Sequence, residues 1–157
     1  MTVTSLTPDG APWQDAAAVL ALLPHRYPFL LVDRLRVVVP GERAQGVKRV
    51  TGSEWFGAAG PAALAAMPGL LVVEALAQTS AAVLVELLDG ATGAVGYFAA
   101  IERARFREPV RAGDTLQLEV TLRSYRRGIA RLRGEATVEG RRVAVVEFTT
   151  VVRGRGA

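Results

Sequence analysis

The chain has 157 residues, of which 50% are hydrophobic, 22% charged and 6% aromatic, and its formal net charge is +4. This composition fits one globular domain and excludes collagen, a coiled coil and intrinsic disorder. Because the sequence has no cysteine and a single histidine, His25, it also excludes disulfide scaffolds, cysteine nucleophiles, thiolate zinc sites and histidine-rich metal sites.

The N-terminal part of the chain predicts a short helix followed by a hairpin. Its first fourteen residues have no basic flank and no apolar run, so we expect neither a signal peptide nor a membrane anchor, and a cytoplasmic location. A helix is predicted over 14–23 and ends at Pro24. Two strands, over 32–39 and 43–50, flank a Pro-Gly-Glu turn that is typical of a hairpin.

The most apolar stretch, 70–88, predicts one long helix that begins after Pro68 and Gly69. It carries two glutamates and three further polar residues, which favours a buried helix over a membrane span. Because the stretch is apolar on nearly every face, we expect other elements to enclose it.

Four more strands are predicted over 95–106, 114–125, 129–138 and 142–152, with turn residues between them. Alternation is clearest in the second of these, where Leu116 and Leu118 face away from Gln117 and Glu119. About six strands and one buried helix predict an α+β fold in which a curved antiparallel sheet wraps around the helix. We expect a single domain over 1–157, with 1–23 as an N-terminal extension.

Arginine supplies nearly all of the positive charge, since Lys48 is the only lysine. Arg131 and Arg133 alternate with Leu132 and Gly134, as solvent-facing positions of a strand do. We therefore favour an ordinary solvated face, with a surface for an acidic carrier protein as the second interpretation. Nucleic-acid binding is a distant alternative, because no aromatic residues are interleaved to stack on bases.

Four separated motifs follow one another along the chain. They are LPHRYPFLLVDR at 23–34, MPG with EALAQ at 67–78, YFAAI with ARF at 97–106, and PV with GD at 109–114. Together they resemble the 3-hydroxyacyl-[acyl-carrier-protein] dehydratases, over about 23–152. The resemblance implies a hot-dog fold, a dimer whose two sheets join or a trimer of such dimers, and a phosphopantetheine thioester as substrate. It implies no metal and no cofactor beyond the phosphopantetheine that arrives on the carrier.

The resemblance also implies a catalytic pair, formed by a histidine in a Gly-His-Phe-Pro-Gly segment and a carboxylate on the long helix. Glu74 matches the carboxylate. Counting back from Met67 places Gly60 where the histidine belongs, and no histidine lies nearby. His25 belongs to a different segment of the resembling proteins, for which we expect a structural role.

Removing water from a 3-hydroxyacyl thioester requires a base, an acid and hydrogen-bond donors for the carbonyl oxygen. We expect Glu74 to be the acid, Gln78 to orient it one turn further on, and the N–H groups of Gly69 and Leu70 to polarise the thioester. The other predicted site residues are Tyr97, Phe98 and Met67 in the substrate tunnel and Arg105, Arg126 and Arg127 on the carrier-protein surface.

Three functions remain open at this point. The first is a dehydratase subunit that completes its site in a mixed dimer with a histidine-bearing paralogue. The second is a hot-dog thioesterase in which Glu74, with Gln78 or Thr79, activates water. The third is a non-catalytic module that binds acyl chains or carrier proteins.

Overall fold

The computed structural model describes residues 11–57, 66–88 and 95–153. Its helices are α1 (Ala16–Leu22) and α2 (Gly69–Leu87), and its strands are β1 (Arg34–Val39), β2 (Arg43–Arg49), β3 (Val95–Phe106), β4 (Thr115–Arg126), β5 (Ile129–Val138) and β6 (Arg141–Arg153). A short 3₁₀ turn lies over Trp55–Gly57. The predicted α+β class is confirmed, and the predicted ends of each helix and strand lie within two residues of the observed ones.

The strands form one antiparallel sheet in the order β1-β2-β4-β5-β6-β3. β3 pairs with β6 alone, from Val95 opposite Arg153 to Phe106 opposite Ala144, with two irregularities in the register. Within the described residues, β3 therefore forms one free edge of the sheet, and β1 forms the other.

Two tight turns join β4 to β5 and β5 to β6. The first contains Arg127 with φ of 52° and Gly128 with φ of 78°, and the second contains Glu139 with φ of 49° and Gly140 with φ of 78°. Left-handed backbone at both central residues gives these two-residue loops the twist of the strands that they connect. Strands β4, β5 and β6 consequently form a continuous meander.

Helix α2 packs across one face of the sheet and contacts all six strands. A flat sheet of six strands would be roughly 24 Å wide, about twice the diameter of a helix with its side chains. The sheet must therefore curve around α2, as the sequence predicts. Gly134 on β5 permits the close approach, because a Cβ there would lie 2.9 Å from Cδ1 of Leu76.

α2 is a long buried helix, as the sequence predicts, and one of its faces is not covered by the sheet. Along that face, residues that are not fully buried recur every three or four positions, at 70, 74, 77, 81 and 85, and Leu70 is 71% exposed. By length and composition alone α2 could also cross a membrane. Its packing against the sheet accounts for that hydrophobicity, since core helices share it.

Candidate functional site

A cavity of about 160 Å³ lies along the uncovered face of α2. Residues 21–25, which end α1 and follow it, close one side, while β3 and β6 supply part of the wall. The wall is mostly apolar, and its polar members are His25, Glu74, Gln78, Ser80 and Thr150. Since an apolar cavity of roughly 150 Å³ holds a benzene molecule, this one has room for a short hydrocarbon segment.

Gln78 is almost fully buried and makes three hydrogen bonds with its amide group. Its Oε1 accepts from the N–H of Leu31 at 3.0 Å, while its Nε2 donates to the carbonyl of Phe29 at 2.7 Å and to Oε1 of Glu74 at 2.8 Å. Both amide hydrogens and the carbonyl are thereby engaged. Gln78 therefore orients Glu74, and its amide group has no hydrogen left with which to bind a ligand.

Glu74 lines the cavity, and one of its carboxylate oxygens contacts other side chains of the protein. Oε1 accepts from Gln78 and lies 3.4 Å from Nε2 of His25. No described residue donates a hydrogen bond to Oε2, and the side chain is 31% exposed. Oε1 therefore fixes the orientation of the group, while Oε2 has no donor among the described residues.

His25 lies in the wall of the cavity, beside Glu74. Its Nδ1 is buried and has no hydrogen-bond partner in the described part of the chain. The sequence predicts only a structural role for this histidine. Its contact with the carboxylate could not be read from spacing, because His25 and Glu74 are far apart in sequence and belong to different elements.

The loop that follows β2 is tied to the segment that carries His25. Nε1 of Trp55 donates to the carbonyl of Pro28 at 3.0 Å, and the rings of Trp55 and Phe29 meet edge to face. Lys48, which is 6% exposed, pairs with Glu54 in the same loop. Gly60, at the position where the resemblance places a histidine, lies outside the described residues.

In the first turn of α2, the leading N–H groups have no backbone partner among the described residues. The carbonyl of Pro68 accepts from Leu71 at 2.9 Å and from Val72 at 3.3 Å, so no described carbonyl accepts from Gly69 or Leu70. The ring of Phe106 covers Gly69, where a Cβ would lie 2.9 Å from Cε1. These N–H groups precede Glu74 by about one turn on the helix.

The predicted tunnel residues occupy different environments. Phe98 lines the cavity and packs against Phe148, with ring centroids 5.5 Å apart. Met67 is buried in the core at 4% exposure, and Tyr97 is 58% exposed. Neither of these two residues contributes to the cavity wall as the structure describes it.

The three arginines predicted for the carrier-protein surface are exposed but do not form one cluster. Arg105 lies opposite Val145 on β6, whereas Ile129, which follows the turn containing Arg127, lies opposite Val151. Six strand residues separate these levels, which corresponds to roughly 20 Å. Arg126 and Arg127 instead lie at the level of Tyr97, which is also opposite Val151.

The outer face of the sheet carries paired charges. Arg133 contacts Glu135 at 2.7 Å and Glu147 at 3.4 Å, and Arg142 contacts Glu135 at 2.8 Å. The hydrogen bond from Arg133 lowers the pKa of the Glu135 carboxyl and, reciprocally, raises the pKa of Arg133. This network fits a solvated face, and within the described residues no group of acidic or histidine side chains could hold a metal ion.

Several known proteins are similar to this chain in sequence or in fold. A model of the FabA-like domain matches residues 23–147. The 3-hydroxyacyl-[acyl-carrier-protein] dehydratase FabZ of Granulibacter bethesdensis is 42% identical over 93% of this chain and 86% of its own length. The corresponding protein of Roseiflexus castenholzii is 49% identical over 83% of this chain and 90% of its own length.

Solved structures share the fold at lower identity. The dehydratase heterocomplex ApeI:P from Xenorhabdus doucetiae superimposes with a TM-score of 0.73 at 17% identity, over 87% of this chain and 91% of that one. A hypothetical thioesterase from Streptococcus pneumoniae, solved with coenzyme A, gives a TM-score of 0.58 at 17% identity, over 76% and 84% of the two chains. The hot-dog fold that the resemblance implies is thereby confirmed.

Proposed function

Because this chain belongs to the FabA-like domain family and to the 3-hydroxyacyl-[acyl-carrier-protein] dehydratases within it, we propose that it is a dehydratase-like subunit acting on acyl thioesters in fatty-acid or polyketide synthesis. The observation that carries the proposal is the carboxylate of Glu74, which is held by Gln78 in the wall of a cavity with room for a short acyl segment. A cytoplasmic location accords with this role.

The chemistry assigned to Glu74 is proton donation to the leaving hydroxyl. A base takes the proton from C2 of the acyl chain, the C2–H electron pair forms the C2–C3 double bond, and the C3–O bond breaks. The hydroxyl leaves as water with the proton from Glu74. The N–H groups of Gly69 and Leu70 stabilise the negative charge that develops on the thioester oxygen.

The base comes from a second subunit in this proposal. Gly60 stands at the position of the family's histidine, so a histidine-bearing paralogue supplies that group across a dimer in which the two sheets join. The free edge of β3 is available for such joining. A homodimer, or a trimer of dimers, would keep Glu74 but lack that histidine.

The acyl carrier protein is the proposed source of the substrate. Arg126 and Arg127 are exposed at the turn level with Tyr97, where positive charge suits an acidic partner. Arg105, roughly 20 Å away, is proposed as a secondary contact. The phosphopantetheine enters with the carrier, and the proposal requires no other cofactor.

The test uses a composite enzyme. We expect no product when a 3-hydroxyacyl carrier protein is incubated with this chain alone. Coexpression with a histidine-bearing relative whose helix carboxylate has been changed to an amide should restore water loss, measured by mass. Glu74→Gln in this chain should then reduce the rate at least 100-fold, as expected for loss of a general acid.

Other products would support the alternatives. Release of free acid would favour a thioesterase in which Glu74, oriented by Gln78, activates water. Thr79 would not take part, because its hydroxyl is buried against the sheet and donates to the carbonyl of Ala75 at 2.8 Å. Binding without turnover in any combination would favour the non-catalytic module. Water loss that persists in the composite enzyme carrying Glu74→Gln would contradict the role of Glu74.

A further inference from the structure

Thr150 on β6 is a buried polar residue in the wall of the cavity. It is 4% exposed, and its Oγ1 has no hydrogen-bond partner in the described part of the chain. The other hydroxyl in the wall, that of Ser80, is already satisfied, since it donates to the carbonyl of Ala77 at 2.6 Å. A buried hydroxyl without a partner is unfavourable, which suggests that the cavity's occupant supplies one.

The fold itself does not need this hydroxyl. Thr150 points to the inner side of the sheet with Phe148 and Val152, and valine has the same branched shape and strand preference. Its neighbours in register are Phe98 and Ala130, which offer no side-chain hydrogen bond. Packing therefore does not require a threonine at this position, and the hydroxyl group is left for a chemical role.

The register of the sheet places Thr150 well beyond Glu74 along the cavity. A Cβ at Gly134 would contact Leu76, and Gly134 lies opposite Val146 on β6. A Cβ at Gly96 would contact Leu84, and Gly96 lies opposite Val152 on β6. Strand β6 thus runs beside α2 in the same direction. Thr150 lies between these two levels and nearer to the second.

We infer that Thr150 determines substrate specificity by hydrogen-bonding an oxygen atom carried by the acyl chain, several carbons beyond the reacting centre. The inference rests on the proposed function, since it takes the cavity to hold an acyl chain. The surrounding wall of Leu84, Gly96, Phe98 and Val152 is apolar, so the rest of this part of the chain is hydrocarbon. The ligand class is an oxygen-bearing acyl thioester with a keto or hydroxyl group.

Binding of unreactive analogues tests the inference without requiring turnover. The chain, alone and in complex with its histidine-bearing relative, is titrated calorimetrically with S-alkyl pantetheine thioethers that are plain or carry one keto oxygen at successive carbons. We expect one keto position to bind about three to ten times more tightly than the plain chain, the range for one neutral hydrogen bond.

Two variants on the same strand provide the comparison. Thr150→Val, which keeps the shape, should abolish the preference while binding the plain chain at least as well. Thr149→Val should retain the preference, because Thr149 hydrogen-bonds Glu102 instead.

Two outcomes overturn the inference. Equal binding of all analogues, or a preference that survives Thr150→Val, shows that the hydroxyl does not select the ligand, and the proposed function is unaffected. Failure of every analogue to bind, plain chains included, contradicts the proposed function and the inference together.

Discussion

At the scale of single residues, Gln78 holds the candidate site together. One amide group joins the backbone of residues 29 and 31 to the carboxylate of Glu74. The segment that carries His25 and the helix that carries Glu74 are therefore positioned by the same side chain. Loss of this amide should affect stability and the orientation of the carboxylate at once.

We predict that Gln78→Met lowers the free energy of unfolding by about 2–3 kcal/mol, because it leaves the buried N–H of Leu31 and the carbonyl of Phe29 without partners. Urea denaturation measures the change. The matched control is Ser80→Ala, which removes a single bond to the carbonyl of Ala77 and should cost less than about 1 kcal/mol. A loss for Gln78→Met no larger than that of the control would contradict the prediction.

The sequence predicts part of this site and omits another part for a physical reason. Glu74 and Gln78 are four residues apart on one helix, so their contact follows from helical geometry. The approach of His25 to Glu74 and the orphan hydroxyl of Thr150 depend on how separate elements pack. No local pattern encodes such long-range proximity.

At the scale of elements, the contact between α2 and β5 depends on a missing side chain. Gly134 lies under Leu76, and a Cβ there would be 2.9 Å from Cδ1, 3.0 Å from Cδ2 and 3.2 Å from Cβ of that leucine. Three close contacts, including one with the stem of the side chain, cannot all be relieved by rotation. The helix itself would have to move away from the sheet.

We predict that Gly134→Ala destabilises the protein by about 1–3 kcal/mol, as overpacking of a well-filled core does. Gly52→Ala is the matched control, since no described atom outside that residue and its two chain neighbours lies within 4 Å of its Cβ position. Thermal and urea unfolding of the two variants give the comparison. Equal stability of the two variants would show that α2 adjusts without cost.

The sequence predicts most of the helices and strands, but it does not predict which part of α2 is exposed. Strand alternation and turn residues identify β4, β5 and β6 because both signals are local. Hydrophobicity on every side of α2 indicates burial without indicating what provides it. In the structure, sheet, cavity and solvent each meet a different part of that helix.

At the scale of the whole molecule, the free edge at β3 exposes several large apolar side chains. Tyr97, Ile101 and Phe106 on this strand are 58%, 44% and 49% exposed. A strand with one free edge and large apolar side chains is a template for pairing with another chain. This edge accords with the sheet joining that the proposed function requires.

We predict that the parent chain sediments as a dimer or larger assembly and that Ile101→Lys shifts it toward the monomer, because a cation at the edge opposes pairing. Ile129→Lys is the control, since Ile129 is 46% exposed but lies on an interior strand. Analytical ultracentrifugation at micromolar concentration distinguishes the species. A monomeric parent, or an Ile101→Lys variant that assembles as the parent does, would contradict the prediction.

The position of β3 in the sheet could not be predicted from the sequence. Residues 109–113 have turn chemistry, but this does not identify the strand that pairs with β3. In the structure β3 pairs with β6, across the whole meander. Local turn signals report where the chain changes direction, and the choice of neighbour depends on how the sheet closes around α2.

The two-residue turns of the meander have a consequence for the order of events during synthesis. β4, β5 and β6 can pair as each emerges, because closing such short loops costs little entropy. β3 leaves the ribosome before all three, yet it waits for β6, which is made after the other five described strands. We therefore expect an unfinished chain to expose this apolar strand on both edges, and a chain that ends before β6 to aggregate rather than fold.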